Sequence, residues 1–437
     1  METLKFDLKS QGNKFKILNA TNGGPQYRRH AVEQSRGNKE TYKAARFPYS
    51  RNHDSALCPG YGGQYSHDIT GIFPNFDADV NDPASYDFAC TDEDIAKCYE
   101  VGTAVFYRLG QSIEHQIKKH ATLPPKDFKK WAEICEHVIR HYNEGWANGF
   151  HYNIEYWEIW NEPDLDADDS PNKRTWGGTR DQFIDFYETV AKHLKKCFPN
   201  LKIGGPAFAW NEEWLDVFLL EMQKRNVSID FFSWHIYCSH PDKMLEKAER
   251  LQNILNQYGF DKTENILDEW NYLKGWTDEF VYTLEAIHGI RGAIFTHSCI
   301  CSAQHSVIDM LMYYDTRPSA WNGAFDYYSL KPLKGYYPLY WYGMFYDMEK
   351  EIPCENNIED IFTLCGVDKN GKALATVSYY VEEDDVLEEK EIKIDFGKSG
   401  KYEIYLLDKD HDGELIDTTS DLTFNLKPLS ALLIKEI

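Results

Sequence analysis

The chain reads as an α/β protein, a (β/α)8 TIM barrel with a small C-terminal antiparallel β-sandwich. Three observations predict it. Short apolar runs alternate with longer segments of 3.6-residue periodicity over residues 14–348. Eight such runs can be counted, each followed by a crossover, which suits a closed barrel better than an open doubly wound sheet. Beyond Tyr346 the pattern changes to period two, broken by turns such as Lys369-Asn370-Gly371.

The predicted barrel strands are 15–18, 47–51, 104–109, 156–160, 202–205, 230–235, 265–268 and 293–296. Between them, 127–142 places Phe128, Trp131, Ile134, Cys135, Val138 and Ile139 on one helical stripe, and 182–197 does the same with Phe183, Phe186, Val190 and Leu194. Segments 241–258 and 277–287 are two more helices. In the second unit, strands are expected at 361–367, 373–381, 391–396, 402–408 and 422–426. The N-terminal residues 1–13 precede the first barrel strand and can add a strand to it. The expected division is therefore 14–348 for the barrel, and 1–13 with 349–437 for the accessory sandwich. The acidic run Glu382-Glu383-Asp384-Asp385 is read as a solvated hairpin tip. Asp408-Lys409-Asp410-His411-Asp412-Gly413 opens like a calcium loop but has Thr419 at the twelfth position, so a hairpin turn is expected. The segment with Tyr336, Tyr337, Tyr340, Trp341 and Tyr342 reads as a barrel helix or as a subunit contact in a homo-oligomer.

Composition narrows the function classes. The 437 residues carry 47 Lys+Arg against 70 Asp+Glu, a net charge of −23, which repels phosphate backbones and anionic lipid. Nucleic acid and membranes are excluded as expected partners. No apolar run reaches membrane-span length, and the first residues lack a basic and apolar leader, so a cytoplasmic location is expected. Ten cysteines with no CxxC pair argue for free thiols, and neither a metal nor an organic cofactor is expected. Aromatic residues make up 15% of the chain; their rings suit the apolar C–H faces of sugars, which raises carbohydrate as a substrate class.

The segment Glu155-Tyr156-Trp157-Glu158-Ile159-Trp160-Asn161-Glu162-Pro163-Asp164 is the most informative. A strand ending at Trp160 delivers Asn161 and Glu162 to the carboxyl rim of a barrel, where active sites lie, and Pro163 stops further pairing. Trp157 and Trp160 are expected to form an apolar collar around Glu162, the setting a general acid requires. Ile266-Leu267-Asp268-Glu269-Trp270-Asn271 supplies a second carboxylate at the tip of the seventh strand, three strands from the fourth and so across the mouth. Alternation turns Asp268 away and favours Glu269. Arg108 and Glu114, after the third strand, either line the cleft or pair with each other. His53-Asp54 reads as a sugar-contacting histidine whose tautomer Asp54 sets. The acidic loop 164–169 is read as solvated.

Trp160-Asn161-Glu162-Pro163 with the Glu269 strand resembles the retaining (β/α)8 hydrolases of clan GH-A. Within that clan the chain is most similar to glycoside hydrolase family 39, the β-xylosidases and α-L-iduronidases. Supporting patterns are Asn19 to Pro25 at strand one, Arg51-Asn52-His53 at strand two, Gly204-Gly205-Pro206-Ala207 at strand five and Asp230 to Tyr237 at strand six. The resemblance implies Glu162 as acid/base, Glu269 as nucleophile and Asn161 as partner of the hydroxyl beside the anomeric carbon. It implies Arg51, His53, His235 and Tyr237 as the wall of the sugar subsite, with Trp270 and Trp321 as further substrate-binding positions.

The sequence departs from the family at Asp268-Glu269-Trp270-Asn271, where Thr-Glu is more usual, and after the eighth strand. These departures leave the sugar open. The expected activity is a retaining exo-glycosidase, β-xylosidase-like, acting on a small oligosaccharide or glycoside. The alternatives are the same fold acting on another sugar (α-L-arabinofuranosidase, β-galactosidase or α-L-iduronidase-like), a transglycosylase, and a non-catalytic sugar-binding barrel.

Overall fold

The computed structural model describes residues 2–32, 36–53, 66–354 and 356–437. Eight parallel strands form the barrel: β2 (Ile17–Asn22), β3 (Tyr49–Arg51), β4 (Ala104–Leu109), β5 (Tyr156–Ile159), β6 (Lys202–Gly204), β7 (Phe231–Cys238), β8 (Glu264–Tyr272) and β9 (Met310–Tyr313). Their order is β6-β5-β4-β3-β2-β9-β8-β7, and a bridge between Phe208 and Trp234 nearly closes the ring. Helices α1 (Lys39–Ala44), α2 (Ile69–Ile72), α3 (Ala89–Glu100), α4 (Phe128–Glu144), α5 (Arg180–Cys197), α6 (Glu212–Lys224), α7 (Pro241–Gln257), α8 (Phe280–His288), α9 (Ile290–Ala303) and α10 (Tyr336–Phe345) lie between or after the strands. Local sequence sets their limits. Asp127 caps α4 by accepting from the amides of Lys129 and Lys130, Gly145 ends it at φ 75°, and Thr179 with Gln182 makes a capping box on α5. Among the described residues no helix is long and apolar enough to cross a membrane.

Two further sheets follow the barrel. One has the order β10-β11-β12-β17-β14-β15, with β10 (Lys350–Glu351), β11 (Ile361–Val367), β12 (Ala373–Tyr379), β14 (Tyr402–Leu407), β15 (Asp412–Thr419) and β17 (Ser430–Glu436). The other has the order β1-β13-β16, where β1 (Glu2–Lys5) runs parallel to β13 (Lys390–Asp395), and β16 (Thr423–Leu426) is antiparallel to it. Leu4, Ile392 and Ile394 from the small sheet share one core with Val377, Ile404 and Ile434 from the large one. This is the sandwich arrangement of two sheets over a common apolar layer.

The expected eighth strand is a correction. Residues 293–296 lie inside α9, and the strand is Met310–Tyr313. Helix α9 is buried around its whole circumference. Phe295 packs on Trp270 of the barrel at 6.1 Å, and His297 meets Thr376 and Ser378 of β12 at 2.6 and 2.8 Å. A helix buried on all sides has no polar face, so its apolar run matches that of a buried strand. The acidic run at 382–385 is exposed at Glu383, Asp384 and Asp385, as a solvated loop would be, yet it also bridges the two units. Glu382 accepts from Ser239 and Lys243, and Asp384 pairs with Arg291 at 2.7 Å, tying sandwich to barrel. The tyrosine-rich segment forms α10, with Tyr336 and Tyr342 bonded to the carbonyls of Thr41 and Lys16. Residues 408–413 make the β14–β15 turn, the amide of Asp408 donating to His411. Strands β15 and β17 have no counterpart among the expected elements.

Inside the barrel, Ala20, Phe106, Tyr156, Phe231, Ile266, Met310 and Met312 fill the lower end. Charged and amide side chains occupy the layer above them. Gly204 passes β7 where the ring lacks a full ladder, and a Cβ there would sit 2.2 Å from the carbonyl oxygen of Phe231. Gly204→Ala is therefore expected to lower unfolding free energy by about 1–3 kcal/mol, seen as an earlier midpoint in urea denaturation.

Candidate active site

Arg51 ends β3 with no exposed side-chain surface, and its guanidinium reaches three other strands. It donates to Glu158 Oε2 at 2.8 Å, Asn22 Oδ1 at 3.2 Å, Asn161 Oδ1 at 2.6 Å and Glu269 Oε2 at 3.2 Å. Asp268 Oδ2 lies 2.9 Å from Nε as an ion-pair contact. Glu158 receives a second bond from Ser233 Oγ at 2.5 Å.

Glu162 follows β5 with φ 49°, and its backbone is held at both ends. Its amide donates to Ala207 at 3.0 Å and its carbonyl accepts from Thr175 Oγ1 at 2.5 Å. Left-handed geometry at a non-glycine residue costs on the order of 1–3 kcal/mol and persists only where its surroundings hold it. The side chain is 15% exposed, and Oε1 is 2.8 Å from Nδ1 of His235. Glu269 lies across the mouth, with Oε1 accepting from the Tyr237 hydroxyl at 2.6 Å. One oxygen of Glu162, one of Glu269 and a ring nitrogen of His235 all lie within 4.8 Å of one another.

A bulge in β8 explains how two adjacent acids share one face. His235 pairs with Glu269 while Trp234 pairs with Leu267, so Asp268 is the extra residue, and the ladder to β9 shifts at the same place. Such a bulge re-aims side chains beside active sites. Asp268 therefore turns inward toward Arg51 and His235, contrary to the simple alternation expected for it.

Electrostatics follow from burial and crowding. Desolvation is the largest influence on Glu269, and together with the charge of Glu162 it outweighs His235, Arg51 and Tyr237, raising its pKa to about 7. Burial likewise raises Glu158 to about 8, whereas Arg51 and His235 overcome burial at Asp268 and hold it below the usual range. Burial opposes charge on His235, but Glu269 and Asp268 prevail and lift its pKa well above the usual value. His53 goes the other way, kept neutral by burial and by the charges of Arg51 and Arg108.

Of the expected site residues, Arg51, Asn161, Glu162, His235, Tyr237 and Glu269 fall into one connected network. His53 stands beside it, its Nδ1 accepting from Arg108 Nε at 3.2 Å, which leaves the ring proton on Nε2. Asp54, expected to set that tautomer, lies outside the described residues. Trp321 joins an aromatic wall with Tyr237 at 5.0 Å and Trp276 at 5.6 Å. Trp270 does not belong to the site. It is 1% exposed and packs outward against Phe295 and Tyr313. The collar of Trp157 and Trp160 is also absent; Trp157 stacks on Tyr107, and Trp160 packs with Trp131, Trp176 and Phe186. Arg108 pairs with Asp68 at 2.8 Å rather than Glu114, whose carboxylate gathers the amides of His120, Ala121 and Thr122. In the acidic loop, Asp164 is buried and accepts from the amides of Ala209, Trp210 and Asn211.

Sequence reasoning missed Asn22, Glu158, Ser233 and Trp276. Glu158 had a signal, a charged residue on the inward face of an apolar strand. Trp276, 58% exposed on the loop after β8, had none. Among the described residues, the oxygens and nitrogens of Glu162, His235 and Glu269 lie close enough to hold a cation, as do the donor atoms of Glu136, His193 and Cys197. In the first set Arg51 already supplies positive charge to Glu269, and in the second Arg140 engages Glu136.

Parallel barrels that present two glutamates across the carboxyl mouth form a class suited to glycosyl transfer. The chain belongs to the glycosyl hydrolases of family 39, whose family model matches residues 68–310. It is 28% identical over 173 residues to a β-xylosidase of Geobacillus stearothermophilus, covering 34% of this chain and 32% of that protein. It is 27% identical over 213 residues to a β-xylosidase of Caldicellulosiruptor saccharolyticus, covering 44% and 40%. The match thus spans well under half the length of these curated relatives. Among solved structures, a glucosidase from Croceicoccus marinus superposes with a TM-score of 0.79 at 21% identity, covering 100% of this chain and 98% of that one. A monomeric β-xylosidase from Caulobacter crescentus CB15 gives 0.70 at 14% identity, with coverage of 100% and 99%.

The raised pKa of Glu269 has a consequence for stability. Between the unfolded value of ~4.3 and about 7, the unfolded chain releases this proton while the folded one retains it, so stability falls as pH rises through that window. Glu269→Gln removes the cost. Its melting temperature is expected to exceed that of the parent protein at pH 8, and the advantage to vanish by pH 4, by calorimetry at both values.

Proposed function

We propose that this protein is a retaining exo-glycosidase, β-xylosidase-like, in which Glu162 is the acid/base and Glu269 the nucleophile. The observation that carries the reading is the approach of the Glu162 and Glu269 oxygens to within 4.8 Å. Retaining carboxyl groups stand ~5–5.5 Å apart and inverting ones ~6.5–9.5 Å to leave room for a water, and so close an approach of the nearest oxygens favours the shorter class. In the first half-reaction Glu162 gives its proton to the glycosidic oxygen as Glu269 attacks the anomeric carbon, and the C–O bond to the aglycone breaks. In the second, Glu162 takes a proton from water, the water oxygen attacks the same carbon, and the ester bond to Glu269 breaks.

The neighbours have roles under this reading. Arg51 and Tyr237 each hold one oxygen of Glu269, which fixes the carboxylate and favours its ionised form. Asn161 accepts from Arg51 through Oδ1, leaving Nδ2 to donate to the hydroxyl beside the anomeric carbon. Trp321 with Tyr237 offers a ring face to the sugar's C–H surface, and His53 borders the same subsite. Similarity to two β-xylosidases makes a β-xyloside the first substrate to test.

Glu269→Ala is expected to lose on the order of 10⁴-fold or more in kcat. Azide should restore turnover of 2,4-dinitrophenyl β-D-xyloside, with the α-xylosyl azide as product by NMR. A folded variant that azide leaves inactive, from a parent enzyme that cleaves the xyloside, counts against the nucleophile assignment. Failure of the parent enzyme on xylosides but cleavage of another aryl glycoside moves the reading to that sugar.

A further inference from the structure

Asp268 has no place in the reaction above, yet it is fully buried between the two cations of the site. Its Oδ2 is 2.9 Å from Arg51 Nε, and its Oδ1 is 3.4 Å from His235 Nε2. Neither contact is an aligned hydrogen bond, since Arg51 Nε spends its single hydrogen on Glu158. Both Asp268 oxygens and His235 Nε2 are buried polar atoms without an aligned partner. Such atoms are rare in folded proteins and cluster at functional sites, where contacts that are long in the empty enzyme tighten when substrate binds. The β8 bulge exists at this residue, and it brings Asp268 to the ring that also touches Glu162.

The imidazole therefore has a carboxylate at each end, Asp268 at Nε2 and Glu162 at Nδ1. Other groups facing it are Glu269 at 3.8 Å and the His53 side chain past the end of β3, while Arg51 pairs with the same Asp268 and Glu269 carboxylates. Tyr237 lies two residues along β7 on Glu269, and Lys247 of α7 donates to the His235 carbonyl at 2.8 Å. We propose that Asp268 is a positioning residue that keeps His235 doubly protonated, so that Nδ1–H occupies Oε1 of Glu162 and the catalytic proton resides on Oε2, facing the substrate. This rests on Glu162 being the acid/base.

The chemistry is a matter of which oxygen carries one proton. With an imidazolium, Nδ1–H donates to Oε1, and a proton on Glu162 has only Oε2 available. With a neutral ring whose Nδ1 is unprotonated, the carboxylic proton moves to Oε1 and is held in an O–H···N bond, away from the glycosidic oxygen. The raised pKa of His235 and the lowered pKa of Asp268 agree with the charged pair. Burial raises Glu158 to about 8, so Glu158 adds little negative charge beside Asp268.

A leaving-group comparison reads this out, because proton donation matters for an alkoxide leaving group and hardly at all for dinitrophenolate. Asp268→Asn is expected to reduce kcat/KM for xylobiose by about 100-fold, while kcat/KM for 2,4-dinitrophenyl β-D-xyloside stays within about threefold of the parent enzyme. Glu162→Ala should show the same split. Equal losses on both substrates in Asp268→Asn, or no loss on xylobiose, would overturn the role of Asp268 while leaving the function intact. If Glu162→Ala shows no split, the acid/base assignment falls and this inference with it. A second measurement needs no variant at Asp268. In the parent protein labelled with ¹⁵N-histidine, both nitrogens of His235, assigned through His235→Gln, should carry protons at pH 7, and a neutral ring there refutes the proposal.

Discussion

The guanidinium of Arg51 is the constraint on which the rest of the site depends. Withdrawing an ion from water costs several kcal/mol even after relaxation, so a wholly buried arginine survives only where its charge and hydrogens are met. Here Asn22 on β2, Glu158 on β5, Asp268 and Glu269 on β8 and Asn161 beyond β5 meet them. These are also the residues that frame the mouth. Satisfying one cation thus draws strands from across the ring onto a common point, and the two opposed glutamates inherit their places from it. The fork geometry of arginine matters, since a lysine ammonium could not reach these oxygens in one plane.

Beneath that layer the barrel is filled with aromatic and aliphatic side chains, and above it lies the cleft. An ionic tier resting on an apolar one is poorly hydrated, which is why carboxylates within it depart from their solution behaviour. Glu158 and Asp268 share Arg51 yet shift in opposite directions, so the tier holds fewer charges than its count of acids suggests. The negative charge that remains lies near His235 and Glu269, where a glycosyl centre would develop positive character. Preorganised charge of this kind needs no rearrangement when the reaction begins.

Much of the architecture was legible from residue order. Seven barrel strands follow from apolar runs with helical spacers, and the two glutamates follow from their positions at strand ends. The errors share a physical origin. Residues 293–296 of α9 read as a strand because both faces of the helix are covered, which removes the polar positions that reveal a helical period. Alternation alone points Asp268 outward because a period of two cannot register an inserted residue, and the β8 bulge shows only in pairing across strands. Trp157 and Trp270 flank the acids in sequence but lie on the outward face of their strands, and Trp160, just past β5 at φ 74°, also packs among the helices. Neighbours in sequence are on opposite faces of a strand, so a motif overstates how many of its members meet the ligand. Glu158, two positions along from Tyr156 and on the same inward face, belongs to the site.

Helix α9 belongs equally to the barrel wall and to the floor of the sandwich. Trimming the chain near residue 348 to obtain a minimal barrel would strip one side of that helix bare, leaving His297 and Ser298 without Thr376 and Ser378 and exposing an apolar cylinder to water. The accessory sheet is therefore a structural wall of the barrel rather than a detachable appendage, and protein engineering on this scaffold must carry both parts together.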